Sequence, residues 1–211
     1  MIGRKPLRDQ AYQEILERVH RGELPPGSRV RDTSLAGQLG ISRTPVREAL
    51  IRLSREGILD ADLGRGFSVC RLDLAEMRES GSILSALEVL ALRSSPDLPA
   101  DRVGRLSEID RELGSIRSDV DRVVGLEEEW HRTLVQGCPN ARLRAMIDNL
   151  WQVPRRYMRG YLRDAGRLSL STQHHARIIE ALRRHDRETA AERLAHHWSR
   201  GIEELGTWMA R

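Results

Sequence analysis

Three histidines and one glutamate in the second half of this 211-residue chain have the types and spacing of a metal-ligand set. Glu127 and His131 are four residues apart and share one face of a helix. His175 begins an apolar stripe with i, i+3, i+4, i+7 spacing, and His197 lies beside a similar stripe, so both imidazoles face inward. One carboxylate and three imidazoles suit a divalent transition metal with open coordination positions. The residues alone leave open the commoner role of such histidines, in a core or in solvent.

A second group of polar residues stands at the start of a strongly amphipathic helix. Ser42, Arg43, Thr44 and Arg47 lie at or just before the first turn. A serine or threonine cap with proline in the first turn is typical of a helix start. The helix has one buried stripe, made by Val46, Ala49, Leu50 and Leu53. The arginines and hydroxyls therefore face outward, where they can approach phosphates and base edges in a major groove, and the pattern predicts a DNA-reading helix.

The segments around this helix predict a winged helix-turn-helix. An amphipathic helix over about 11–19 and a short helix over about 33–39 precede it, and Gly40 ends the short helix. Strand segments at 58–59 and 67–69 follow it. The tip of this predicted β-wing carries one cation between two glycines, and its residues are Gly64, Arg65 and Gly66. The tip is expected to enter a minor groove or to lie on phosphates.

Beyond about residue 72 the strand signals disappear and helical periodicity takes over. We therefore expect a DNA-binding domain over 1–72 and an all-helical domain over 73–211. Pro154 falls inside the fourth predicted helix and should kink or split it, so six or seven helices are expected. The predicted helices cover 73–94, 99–117, 119–136, 140–163, 169–185 and 187–209. The fold class is mainly α with a small β-wing, and helical bundles of this size often hold metal or cofactor sites between helices.

Charge and cysteine content agree with this division. Residues 1–72 hold 13 Lys and Arg against 9 Asp and Glu, and residues 73–211 hold 22 of each, so the whole excess of +4 lies on the predicted DNA-binding part. Cys70 and Cys138 fall in different predicted domains, which argues against a disulfide framework. With no secretory segment and no long uncharged apolar run, the sequence predicts a cytoplasmic protein without membrane contact.

Residues 8–70 resemble the winged helix-turn-helix of the GntR family of bacterial transcription regulators. The matching features are Gly22 through Gly27, Leu35-Ala36, Leu39-Gly40, Ser42 through Leu50, Gly57 and Gly64-Arg65-Gly66. The resemblance implies that Ser42, Arg43, Thr44 and Arg47 touch the operator together with the wing glycines.

Residues 73–211 resemble the ligand-sensing FCD domain of the same family. The signature is a carboxylate and a histidine four apart, then Asn140, a histidine six residues before an alanine, and a histidine 22 residues further on. The resemblance implies a metal held by Glu127, His131, His175 and His197. Glu127 departs from the usual aspartate, so Glu128 or water remains an alternative ligand.

A second departure from the FCD pattern concerns the effector. Leu84 stands where many members carry an arginine that meets an anionic effector. The cation could instead come from Arg155, Arg156 or Arg159, or the effector could be less anionic. A solvated face is the preferred interpretation of those three residues.

Together the sequence predicts a transcription regulator and not an enzyme. A homodimer would bind a pseudo-palindromic site on double-stranded DNA, and a small-molecule effector, expected to be a small organic acid, would bind at a zinc, nickel or manganese-like ion and change operator affinity. Two alternatives are an effector-blind DNA binder whose bundle only dimerises, and a metal-dependent hydrolase. The chain shows no nucleophile or general-base motif beyond the metal ligands, which weighs against the hydrolase.

Overall fold

The computed structural model describes residues 6–55, 58–62, 66–71, 73–116, 119–165 and 171–210. The chain divides into two units, residues 1–72 and residues 73–211, and each unit has its own hydrophobic core.

The first unit is the winged helix-turn-helix that the sequence predicts. Its elements are α1 (Leu7–His20), β1 (Arg29–Val30), α2 (Asp32–Leu39), α3 (Arg43–Arg55), β2 (Leu59–Asp62) and β3 (Gly66–Val69). The three strands form an antiparallel sheet in the order β1-β3-β2, with Ala61 opposite Phe67. The periodicity did not predict β1, because two residues are too few to show an alternating pattern.

A buried stripe fixes the orientation of α3 in this unit. Val46, Leu50 and Leu53 are fully buried and belong to the same core as the apolar face of α1. Gly40 ends α2 with a left-handed φ of 65°, a conformation that costs glycine nothing, and this permits the tight turn into α3. The turn and the stripe together leave the first turn of α3 facing solvent.

The second unit is a bundle whose described part contains seven helices. They are α4 (Leu74–Ser94), α5 (Ala100–Ser115), α6 (Val120–Val135), α7 (Ala141–Leu150), α8 (Gln152–Ala165), α9 (Ser171–Arg183) and α10 (Arg187–Met209). The split that Pro154 predicts occurs at Trp151, three residues earlier, so Pro154 lies in the first turn of α8, where its missing N–H costs little.

The core of the second unit is formed by the inward stripes of its helices and is continuous around Trp130, which is fully buried. Leu84 belongs to this core and is also fully buried. Within the described residues, no helix combines the length and the apolarity that crossing a membrane requires.

Candidate functional site

The polar residues at the start of α3 lie on the surface. Ser42, Arg43, Thr44 and Arg47 are all exposed. Both arginines pair with one carboxylate of α2: Asp32 Oδ2 lies 3.1 Å from Arg43 Nη2 and 3.3 Å from Arg47 Nη1. The hydrogen bond from Arg43 is the main cause that lowers the pKa of Asp32. Asp32 thus holds the two guanidinium groups side by side, an arrangement that the sequence pattern did not reveal.

In the wing, the described residues stop at Asp62 and resume at Gly66. Asp62 pairs with Gly66, which has a positive φ of 97°. Gly64 and Arg65, two of the predicted DNA contacts, lie outside the described residues, as does Gly57.

The four predicted metal ligands come together in the second unit. Glu127, His131, His175 and His197 each offer a ligand atom, and these atoms all lie within 4.8 Å of one another. They come from α6, α9 and α10. Glu127, His131 and His175 are buried, and His197 is partly buried.

Two of the distances inside this group are close to those between ligands of one metal ion. His131 Nε2 lies 3.1 Å from His197 Nε2, and His175 Nε2 lies 3.6 Å from Glu127 Oε2. Two ligands that are each about 2.0–2.1 Å from an ion stand roughly 3–3.5 Å apart in tetrahedral or octahedral geometry. Both ring nitrogens of His175 and the Nδ1 of His197 are buried without a hydrogen-bond partner. Such orphaned nitrogens are costly in a folded core, and coordination would satisfy those that face the centre.

A buried carboxylate on α4 orients the first histidine. Glu88 is fully buried and accepts hydrogen bonds from His131 Nδ1 at 2.7 Å, Trp151 Nε1 at 2.9 Å and Trp198 Nε1 at 2.7 Å. Because a carboxylate only accepts, the ring proton of His131 lies on Nδ1 and the Nε2 lone pair faces the group. Histidine ligands of metals are commonly held in this way by a second carboxylate.

Two other neighbours fix the second histidine. The indole of Trp130 stacks on the ring of His175 with centroids 3.7 Å apart and planes 7° from parallel. Asp110 Oδ1 lies 3.3 Å from His175 Nδ1, within ion-pairing distance. Burial raises the pKa of Asp110 to about 6. Sequence reasoning identified neither Asp110 nor Glu88 as part of this site. The sequence signal that could have identified them is a charged residue at an inward-facing position of its helix.

Three of the assigned ligands have a neighbour of the same type in the sequence, namely Glu128, His174 and His196. None of these neighbours belongs to the group. Glu128 is salt-bridged to Arg132 and Arg155 and contributes no atom to the group, whereas Glu127 does. His174 and His196 lie next to each other outside it, with ring centroids 5.7 Å apart. Asn140 caps α7 by accepting a hydrogen bond from the Leu143 backbone N–H at 3.1 Å.

The three arginines of α8 do not form a solvated face. Their side chains are at most 16% exposed, and each pairs with a carboxylate of another helix. The pairs are Arg155 with Glu128, Arg156 with Glu76 and Arg159 with Asp121. The interpretation of these arginines as a solvated face is therefore wrong, and a role towards an effector stays a prediction.

A small pocket opens beside the histidine group. Glu127, His131 and His197 form one wall, and the space within it is about 90 Å³. The apolar and aromatic residues of the lining come from α4, α8, α10 and Trp151: Met77, Trp151, Pro154, Met158, Tyr161, Leu162, Trp198 and Leu205. The lining also contains His174 of α9 and Arg200, Gly201 and Glu204 of α10. A small molecule in this pocket would touch the histidine group.

Comparison with known families decides the class of the protein. Residues 79–200 match the family described as FCD domain, and residues 7–69 match the one described as bacterial regulatory proteins, gntR family. The chain belongs to the GntR family, in its FCD branch. This GntR regulator is 28% identical over 204 residues to the uncharacterized HTH-type transcriptional regulator YdhC of Bacillus subtilis (strain 168), covering 93% of this chain and 89% of that protein.

Two further comparisons agree. The chain is 30% identical over 182 residues to the Nta operon transcriptional regulator of Aminobacter aminovorans, with 81% of each covered. Its fold is similar to that of E. coli McbR/YncC, with a TM-score of 0.83 at 24% identity over 98% of this chain and 100% of that one. The predicted family and fold class are confirmed, and this GntR regulator is a transcription regulator rather than an enzyme.

The buried histidines make a prediction about pH. Burial, followed by neighbouring imidazoles, holds the pKa values of His175 and His197 well below the usual value. In the unfolded chain they take up protons near pH 6.5, about the unperturbed value. Their stabilising contribution is therefore complete above that pH and is lost as the pH falls towards their folded pKa values. Asp110 acts in the opposite sense, because its raised pKa means that protonation near pH 6 favours the folded state.

We expect the thermal unfolding midpoint of the chelator-treated protein to fall between about pH 7.5 and about pH 5.5. His197→Gln, which cannot titrate, should flatten this decline, and Asp110→Asn should steepen it below about pH 6. Tryptophan fluorescence during heating measures the midpoint. A midpoint that rises on acidification, or a decline that His197→Gln leaves unaltered, would rule out these histidines as its source.

Proposed function

We propose that this GntR regulator binds a pseudo-palindromic operator as a homodimer in the cytoplasm, and that a small organic acid bound at a metal ion in the FCD domain changes its operator affinity. Residues 1–72 are the DNA-binding domain in this proposal, and residues 73–211 sense the effector and dimerise. The convergence of Glu127 with three histidines beside a pocket carries the sensing part of the proposal.

The exposed first turn of α3 supports the DNA-binding part. We propose that Ser42, Arg43, Thr44 and Arg47 contact the operator and that the wing tip, Gly64 to Gly66, adds a phosphate or minor-groove contact through Arg65. Asp32 holds Arg43 and Arg47 beside each other before DNA arrives, which lowers the entropy lost on binding. The charge excess of the first 72 residues favours approach to phosphates.

Arg47→Ala should weaken binding to the operator by about 1–3 kcal/mol, because an arginine that pairs with guanine in the major groove contributes that much. Arg55→Ala is the matched control, since it removes the same charge from the exposed far end of α3. Band-shift titrations on the region upstream of the gene and on random DNA measure both effects. Equal affinity of the wild-type protein for the two DNAs would contradict the assignment of sequence-specific DNA binding.

An uncharged face of α4 supports dimerisation with a second copy. Ser82, Ile83, Ala86 and Leu90 are all exposed and share one side of the helix. Ile83 is 50% exposed and Leu90 is 52% exposed, an unusual degree for large apolar side chains. Small residues between two large ones allow a helix and its symmetry mate to pack closely. A two-fold dimer through this face would present two reading helices to two half-sites.

The metal fits the group for three reasons. The ligand types suit zinc, nickel or manganese-like ions, the ligand atoms have ligand-to-ligand spacing, and Glu88 turns the His131 lone pair inward. Glu127, His131, His175 and His197 would hold the ion. Four protein ligands leave positions open on a five- or six-coordinate ion, and there the ion supplies positive charge to an effector oxygen.

The adjacent histidine pairs allow a matched test of the metal site. His197→Ala should abolish zinc binding and the thermal stabilisation that zinc produces, because it removes one of four ligands from the folded bundle. His196→Ala removes an exposed imidazole one residue away and should change neither. Elemental analysis and thermal shift on protein purified without a histidine tag measure both. Zinc retained by His197→Ala, or lost equally by both variants, would exclude the assigned ligands.

Helix α8 offers a route from the pocket to the DNA-binding domain. Pro154, Met158 and Tyr161 of α8 line the pocket. On the same helix the hydroxyl of Tyr157 accepts a hydrogen bond from the Asp73 backbone N–H at 2.8 Å and also contacts the Glu76 carboxylate. Asp73 caps α4, the helix at which the chain enters from the first unit. We propose that an effector that displaces α8 changes the contact between Tyr157 and this end of α4. The change would favour one arrangement of the two DNA-binding domains of the dimer over another.

Tyr157→Phe keeps the ring and removes only the hydroxyl from this contact. We expect normal zinc content and normal effector binding, but a several-fold smaller effect of the effector on operator affinity, since coupling free energies of this kind are about 1–3 kcal/mol. Operator titrations with and without the bound acid give the ratio. If the ratio equals that of the wild type, the signal takes another path.

The effector-blind alternative makes a separate prediction. In that case zinc and small acids would leave operator affinity unchanged even where they bind. Operator titration in the presence of zinc and each acid distinguishes a sensor from a purely structural bundle.

A further inference from the structure

Much of the lining of the pocket beside the histidine group is apolar. Met158 and Leu162 of α8, Met77 of α4 and Leu205 of α10 all line the space, together with the ring of Tyr161. An apolar lining stabilises hydrocarbon and penalises a charge that finds no partner there.

The described lining offers no buried guanidinium to a second acidic group. Arg200 is the arginine in that lining; its side chain is 49% exposed and it hydrogen-bonds Glu203 at 2.6 Å. The carboxylate of Glu204, four residues on, also lines the pocket and offsets the charge of Arg200.

The other nearby arginines are engaged elsewhere. Arg155, Arg156 and Arg159 pair with carboxylates of other helices and lie outside the described lining. Leu84, at the position where FCD domains often have a cation, is buried in the core.

From this distribution of charge we infer that the effector is a short monocarboxylic acid, whose single carboxylate meets the metal and whose apolar body fills the space among Met77, Met158, Leu162 and Leu205. The inference rests on the proposed metal-bound effector and specifies its class. A dicarboxylic acid would bury its second charge against thioether and aliphatic carbon, and the polar side chains of the lining outside the metal group and the aromatic residues are the half-exposed Arg200, the opposing Glu204 and the partly buried imidazole of His174.

The volume of the pocket indicates what size of body it encloses. That volume is about 90 Å³, and the pocket opens to solvent. An apolar cavity of about 150 Å³ accepts a benzene molecule, so a body of roughly three or four carbons fits inside the pocket. Butyrate and valerate have that length.

Matched acids test the inference on the zinc-loaded full-length protein. Succinate is butyrate with its terminal methyl replaced by a carboxylate, and glutarate is related to valerate in the same way. We expect affinity to rise about fourfold per methylene from acetate to butyrate, the gain for burying one methylene group. We expect butyrate to bind at least about tenfold tighter than succinate, because the second carboxylate loses its hydration. Isothermal titration measures each affinity.

A pocket-filling variant shows where the acid binds. Gly201 of α10 lines the pocket, and a Cβ added there meets no atom within 4 Å, so Gly201→Leu should occupy the space without a clash. This variant should keep zinc and lose butyrate. Gly125→Leu is the control, since Gly125 is exposed on α6 with equally open surroundings, and it should bind both normally.

The outcomes separate this inference from the proposed function. If succinate binds as tightly as butyrate, the monocarboxylate inference is overturned but the proposed metal-bound effector is not. Loss of that succinate binding in Arg200→Gln would then identify Arg200 as the partner of the second carboxylate. Butyrate binding that survives Gly201→Leu overturns the assigned pocket. Protein that takes up no zinc overturns the proposed function and the inference together.

Discussion

The second unit depends on one buried carboxylate. Glu88 accepts hydrogen bonds from His131, Trp151 and Trp198, and these four residues belong to α4, α6, the α7–α8 turn and α10. A fully buried carboxylate is tolerated only when several donors surround it, because its desolvation is expensive. The same three bonds that satisfy the charge therefore set the distances between the helices. They also fix the tautomer of His131, so the packing of the bundle and the direction of a ligand lone pair have a single cause.

Around that carboxylate the bundle keeps a polar centre that a purely structural core would not need. His175 is stacked on Trp130 with both ring nitrogens lacking hydrogen bonds, and Asp110 stands beside it with a raised pKa. Replacing such a cluster by hydrocarbon is often neutral or stabilising in proteins. Its presence in a GntR regulator, next to a pocket, is the physical reason for proposing that an effector is sensed here.

The fold followed from the sequence because its elements have strong local signals. The stripe from Val46 to Leu53 predicted α3, and Pro154 predicted the break that appears at Trp151. The four clustered residues were also anticipated, since helical spacing fixes which side chains face inward. Local periodicity could not supply the partners across helices: Asp32 with the α3 arginines, Glu88 with His131, and the carboxylates that hold Arg155, Arg156 and Arg159. Those contacts depend on helix packing, which the pattern within one segment does not contain.

Anomalous diffraction from crystals of the full-length, untagged protein grown with zinc tests the central claim most directly. The account predicts one strong peak at the zinc absorption edge, about 2.0–2.2 Å from Nε2 of His131, His175 and His197 and from a Glu127 oxygen. The Nδ1 of His131 should remain bonded to Glu88. A bundle without a zinc peak at these residues, or with zinc held by His174 and His196 instead, would contradict it.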